Sequence, residues 1–287
     1  MFKPQLYALT PAGPRPLAIS PDATDFTDLY HGLTLGVYSV IRTFHHNCFF
    51  QLDHHLARTV RSMRLLGWDY QLDEERLRRA IHELCTAYPA AESRVRIDIL
   101  AAPATALGYD SRELLALMPF TPPPAILYEQ GVALGYATGL HRTNPLVKTA
   151  TFAEERKQAE DTRFYEHLLT DEHGAILEAT SANFYAVRHG VLYTAGEGVL
   201  EGVTRRIVLD LVTAAAIPLQ LQAVFVNELS LLDEALISSS SRGVMPVVVI
   251  GEQAIGDGKP GPITQNLMAA YNGYVEAHLQ TAIYTLL

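Results

Sequence analysis

Apolar residues recur along the chain in two periods, and the switches between them lay out most of the architecture. The stretch GVYSVIRTF at 36–44 reads as a strand. Asp53 then opens a stretch in which Leu56, Val60, Met63 and Leu66 return at helical spacing. Leu77, Ile81 and Leu84 predict a second helix over 73–88, and strands follow over 94–100 and 114–118. The segment PFTPPP at 119–124 continues neither a helix nor a central strand, because each proline fixes φ and removes a backbone donor. It predicts an N-terminal α/β domain over 1–120, a linker over 121–127 and a C-terminal domain over 128–287. Strands are predicted there over 132–136, 175–178, 184–187, 235–239 and 244–250, with helices near 202–215 and 262–278. The fold class is α/β in two domains, and no internal repeat or low-complexity tract interrupts it.

Composition narrows the function. A hydrophobic fraction of 48% in 287 residues supplies real cores, and no apolar run reaches the length of a membrane span. The opening MFKPQLYALTPAGPRP is broken by prolines and lacks a secretory apolar core, so a cytoplasmic location is expected. A net charge of -9 without a dense Lys/Arg run argues against nucleic acid and for small-molecule chemistry. The two cysteines, Cys48 and Cys85, read as buried, reduced thiols.

Lysine is scarce, which narrows the search for an amine nucleophile to Lys3, Lys148, Lys157 and Lys259. Lys3 lies near a terminus, Lys157 in the polar run EERKQ and Lys259 in the turn GDGKP, all solvated settings. Lys148, within LVKTATF, has apolar neighbours whose partial burial lowers the pKa of an imine-forming amine. Taken alone, a surface or ion-paired lysine is the commoner outcome. Three further segments have a shape suited to anion or cofactor binding. LEATSANF carries Glu178 at a strand end ahead of small polar residues, although a lone glutamate is usually just solvated. Gly202-Val203-Thr204 opens an amphipathic helix whose free N–H groups suit a phosphate, or is an ordinary cap. SSSSRG at 238–243 is a hydroxyl-rich turn between apolar strands, or a plain connection.

In order and spacing, GVYSVIRTF, LDHHLARTVRSMRLLG, VKTATF, ILEATSANFYAV, VLEGVTRR, SSSSRGVMPV and GPIT resemble the class IV aminotransferases. This is the fold-type IV pyridoxal 5'-phosphate (PLP) family, which includes branched-chain and D-amino-acid aminotransferases and aminodeoxychorismate lyase. The resemblance implies a smaller N-terminal α/β domain, a larger C-terminal PLP-binding domain with the site between them, and a homodimer. It implies that Lys148 holds PLP as a Schiff base and moves the proton, while Glu178 pairs with the pyridine nitrogen. Arg58 would bind the phosphate, completed by Val203, Thr204 and Ser240, and Asn183 would be a further cofactor contact. Tyr38 would line the substrate pocket, with Arg42, Arg96 and Ser241 as substrate contacts. The substrates implied are an amino acid and a 2-oxo acid, with no nucleic acid, membrane or metal.

Three alternatives remain open. A PLP-dependent lyase is one, although Val40 stands where the lyase branch has a catalytic threonine. A catalytically silent PLP-binding homologue is another, against which Lys148 and Glu178 argue. A metal enzyme built on the His45-His46 and His54-His55 pairs is disfavoured, because no spacing matches a ligand set.

Overall fold

A computed structural model describes residues 2–20, 22–24, 26–29, 36–158 and 161–283, without the side chains of 27, 157 and 158. The reading of Lys157 therefore lies outside the described residues. Lys3 and Lys259 are exposed. The chain forms two compact units, one of Met1–Thr121, Val147–Glu154 and His278–Leu287, the other of Pro122–Leu146 and Glu155–Ala277. The sequence reading, with its single linker over 121–127, contains neither short return to the first unit. A helix also begins inside that linker, just after the prolines that end the preceding strand.

Strands and helices are numbered in chain order. In the first unit β1 (Gln5–Thr10), β2 (Gly13–Pro16), β3 (Val37–Phe44), β4 (Cys48–Phe50), β5 (Ser93–Ile99), β6 (Glu113–Pro119) and β16 (Leu279–Thr281) form one sheet. Its order is β16-β4-β3-β5-β6-β1-β2, antiparallel throughout. The sheet is covered on both faces, which explains why β6 reads as the nearly continuous apolar run ELLALMP. Leu115 and Leu117 join one core, and Leu114, Ala116 and Met118 join the other, as the two-residue period of a strand requires.

Helices α1 (Leu52–Leu65) and α2 (Glu74–Ala87) contribute to the first of these cores. The side chain of Asp73 caps α2 by accepting from Arg76 N. The buried face of α1 is Leu52, His55, Leu56, Arg58, Thr59, Ser62 and Met63. The predicted face is corrected: Val60 is half-buried and Leu66 is exposed. Cys48 is also corrected, being half-exposed at the end of β4, whereas Cys85 is buried.

The second unit holds α3 (Ala125–Gln130), β7 (Val132–Tyr136), β8 (Glu166–Thr170), β9 (Ile176–Ala179), β10 (Asn183–Arg188) and β11 (Val191–Tyr193). It continues through α5 (Val203–Ala214), β12 (Leu219–Gln220), β13 (Glu234–Ser239), β14 (Gly243–Ile250), β15 (Gln253–Ala254) and α6 (Pro262–Ala277). The helix α4 (Ala150–Gln158) begins on the first return. Strands run in the order β10-β13-β14-β7-β8-β9, and β9 pairs again with β10 through Glu178 and Asn183, closing a six-stranded barrel. Leu134, Leu168, Phe184, Ile237, Met245 and Val247 fill it, and closure leaves these six strands no free edge. The parallel pairs β14–β7 and β7–β8 sit inside an otherwise antiparallel circuit. Among the described residues no helix is long and apolar enough to cross a membrane.

Candidate functional site

The residues singled out from sequence fall into separate clusters within each unit. In the first unit Lys148 extends the sheet, with Tyr38 N donating to its carbonyl at 3.0 Å and Thr149 bridging to Val37. Ala150 N donates to Gly36 O at 2.8 Å, and a Cβ on Gly36 would lie 1.9 Å from the Ile99 carbonyl oxygen. Glycine is therefore obligatory where the Lys148 segment docks on β3. Lys148 Nζ stands 4.8 Å from the centre of the Tyr38 ring, and Arg96 Cζ stands 4.4 Å from the same ring. Arg96 is buried and makes three bonds of 2.8–3.0 Å to Asp98, which balances its charge.

On the other face of β3, Arg58 Nη2 donates to Ser39 Oγ at 3.1 Å, and Ser39 shares a hydrogen bond with Thr59. His55 is fully buried beside them. Burial, and then the positive charges of Arg58, Lys148 and His54, hold its imidazole well below the ordinary histidine range. Arg42 belongs elsewhere. It pairs with Glu92 at 2.6 Å and stacks on Phe44 and Phe120, four residues, or roughly 13 Å, along the strand from Tyr38. The structure brings Lys148, Tyr38 and Arg96 together, and it does not bring Arg42 to them.

In the second unit the barrel closure positions Glu178 and Asn183 directly opposite one another. Glu178 is buried and accepts from Arg142 Nε at 2.6 Å, Asn183 Nδ2 at 3.3 Å and Leu200 N at 3.2 Å. Asn183 also donates to Leu200 O at 2.8 Å, and a Cβ on Gly202 would meet its Oδ1 at 2.2 Å. That latch seats the start of α5, where Gly202 is the N-cap and Val203 and Thr204 form the first turn. A glycine cap brings no side chain to occupy the N–H groups there. Thr204 Oγ1 lies 3.5 Å from Ser240 Oγ, so the helix start and the β13–β14 turn converge.

The turn is itself anchored. Arg242 donates to Glu166, Ser181 and Ser239, and Glu166 also accepts from the Thr180 and Ser181 hydroxyls. Burial alone would raise the Glu166 carboxyl, but Arg242 and those hydroxyls bring it down to about 2.

Sequence reasoning missed Arg142, Glu166 and Asp98, and it weighed His55 only as half of a metal pair. The partners of Arg142 and Glu166 lie 36 and 76 residues away, so no local signal marked them. Asp98, two residues from Arg96 on the same strand face, was open to inference. His45 and His46 occupy a turn with positive φ, and His54 and His55 lie on α1. Among the described residues no group of three or more His, Cys, Asp or Glu is placed to hold a metal ion.

The family model for amino-transferase class IV matches residues 36–250, a span holding every residue of these clusters. A D-alanine aminotransferase of Bacillus licheniformis is 28% identical over 257 residues, covering 86% of this chain and 90% of that protein. One from Staphylococcus haemolyticus is 36% identical over 104 residues, covering 36% and 37%. Among solved structures, a putative branched-chain amino acid aminotransferase of Thermotoga maritima superposes with a TM-score of 0.77 at 22% identity, covering 99% of both chains. A branched-chain aminotransferase of Thermoproteus uzoniensis with norvaline gives 0.76 at 21%, covering 97% of this chain and 99% of that one. The fold is that of the fold-type IV aminotransferases, and the chain belongs to the class IV aminotransferase family. It is an aminotransferase, in a family whose members depend on PLP.

Proposed function

We propose that this aminotransferase holds PLP through Lys148 and moves an amino group between an amino acid and a 2-oxo acid. The observation that carries the reading is Lys148 itself, docked on β3 with its amine over the Tyr38 ring. The donor set of the second unit fits the rest of the cofactor. A phosphate matches the Thr204 and Ser240 hydroxyls and the first turn of α5, and Arg58 is the cation assigned to it. A pyridine nitrogen matches the anchored carboxylate of Glu178. When bound, PLP supplies an electron sink for the carbanion left at the substrate's α-carbon.

The chain's own residues do the remainder. The Lys148 amine would hold the cofactor covalently and, once displaced by the substrate's amino group, would move a proton between the substrate's α-carbon and the cofactor carbon that had carried the lysine. Glu178 holds the ring nitrogen protonated, Asn183 keeps Glu178 and the start of α5 in register, and Tyr38 walls the substrate side. Arg96, beside the Tyr38 ring, and Ser241 are the candidate contacts for the substrate carboxylate, whereas Arg42 stacks on Phe44 and Phe120 farther along the strand. A cytoplasmic homodimer completes the proposal. The amino donor is sought among D-alanine and the branched-chain amino acids, the substrates in the relatives' names. Val40 lies two residues beyond Tyr38 without a hydroxyl, which disfavours the elimination of the lyase branch.

The test is a visible absorption spectrum of purified protein with added PLP, repeated with Lys148→Ala and with a panel of L- and D-amino acids. A band that is absent in the variant and bleaches with particular amino acids is expected. A wild-type protein without a band, or a variant that keeps it, overturns the assignment of Lys148. Pyruvate released without an amino acceptor would indicate elimination instead.

A further inference from the structure

Arg242 is half-buried, and its three nitrogens reach three separate pieces of the second unit. Nη1 donates to Glu166 Oε2 on β8 at 2.9 Å. Nη2 donates to the carbonyl and the hydroxyl of Ser181, just beyond β9, at 3.1 and 2.5 Å. Nε donates to Ser239 Oγ at the end of β13, at 2.9 Å. The Arg242 backbone is fixed too, its N–H reaching Ser239 O and its carbonyl accepting from Tyr128 OH at 2.7 Å.

Each end of this fan adjoins a ligand contact proposed above. On one side, Thr180 O accepts from Arg142 Nη2 at 3.3 Å, while Arg142 Nε holds Glu178. On the other, Ser239 is followed by Ser240, whose hydroxyl lies against Thr204 at the head of α5. The turn of 240–242 is a three-residue hairpin loop ending at Gly243 in the left-handed region, a connection that orients its side chains sharply. A partly buried ion pair contributes little net stability compared with apolar packing, so a fork spread over three segments is better explained by what it orients.

We propose that Arg242 is a positioning residue that locks the turn after Glu178 to the hydroxyl turn of Ser240, so that the groups facing the two ends of the cofactor share one frame. The inference rests on the cofactor reading given above. Only a planar fork meets this set of acceptors: lysine would keep the charge beside Glu166 but has a single nitrogen and cannot also span Ser181 and Ser239.

The experiment compares PLP with pyridoxal, which lacks the phosphate, by measuring dissociation constants for wild type, Arg242→Lys and Ser239→Ala, with far-UV circular dichroism to confirm folding. In Arg242→Lys the preference for PLP over pyridoxal falls about tenfold, the order expected when a binding group loses its supporting contacts. Ser239→Ala, which removes one acceptor and leaves the Arg242–Glu166 pair in place, moves the preference the same way by a smaller factor. An equal weakening of both ligands assigns Arg242 a purely structural part and overturns the proposal, as does a preference unchanged in Arg242→Lys. If Arg242→Lys does not fold, an unchanged preference in Ser239→Ala overturns it. Should wild type itself bind PLP no better than pyridoxal, the phosphate assignment fails first and the proposal with it, an outcome visible before any variant is made.

Discussion

His55 shows how much a single buried side chain can carry here. It is 1% exposed, on the face of α1 that also presents Arg58, and it feels both Arg58 and Lys148 as positive charges. Its folded-state pKa is depressed below the ordinary 6.5, so below that pH the unfolded chain takes up a proton that the folded chain refuses. Stability therefore falls as pH drops through about 6.5. His55→Gln should flatten that slope, as thermal melts between pH 7.5 and 5.5 will show, and an unchanged slope would mean the dependence comes from another group. Lys148 could be singled out as the candidate amine because only four lysines compete for that role. Arg142 could not, because removing those four from 22 basic residues leaves eighteen arginines, and which of them are buried is decided by partners far along the chain.

Helix α1 illustrates the same division one level up. Its existence and ends follow from apolar periodicity, yet the face that turns inward is rotated toward His55, Thr59 and Ser62. The cause lies on β3, where the inward Ser39 hydroxyl needs polar partners and takes them from Thr59 and Arg58. A hydrophobicity pattern cannot anticipate a polar stripe selected by the strand beneath it. Leu56 still lies at the centre of the core, whereas Leu66 is 38% exposed. Leu56→Ala should cost about 2–5 kcal/mol, and Leu66→Ala no more than about 0.5 kcal/mol, in urea unfolding; equal costs would show that the buried face is misassigned. The barrel was legible as a set of strands, but its closure through Glu178 and Asn183 depends on pairing that no local pattern states.

At the level of the whole molecule, the chain changes unit at 121–122, 146–147, 154–155 and 277–278. The proline run lies at the first change. Returns of eight and ten residues have no composition of their own, and the other three were invisible. The second return closes the first unit: β16 pairs with β4, Thr281 lies opposite Cys48, and Ala282 is fully buried in the core. Deleting 278–287 should lower the melting temperature by several degrees and speed the reaction of Cys48 with a thiol reagent. Cys85, whose thiol burial pushes up to about 12, should stay silent; unaltered Cys48 labelling would deny β16 its covering part. This arrangement also has a temporal side. A ribosome delivers β4 more than two hundred residues before its partner strand, so throughout synthesis the growing chain carries an open sheet edge flanked by Phe49 and Phe50. Crowded, rapid production is therefore the condition under which this enzyme is most exposed to misassembly, and slower expression at lower temperature is the natural remedy.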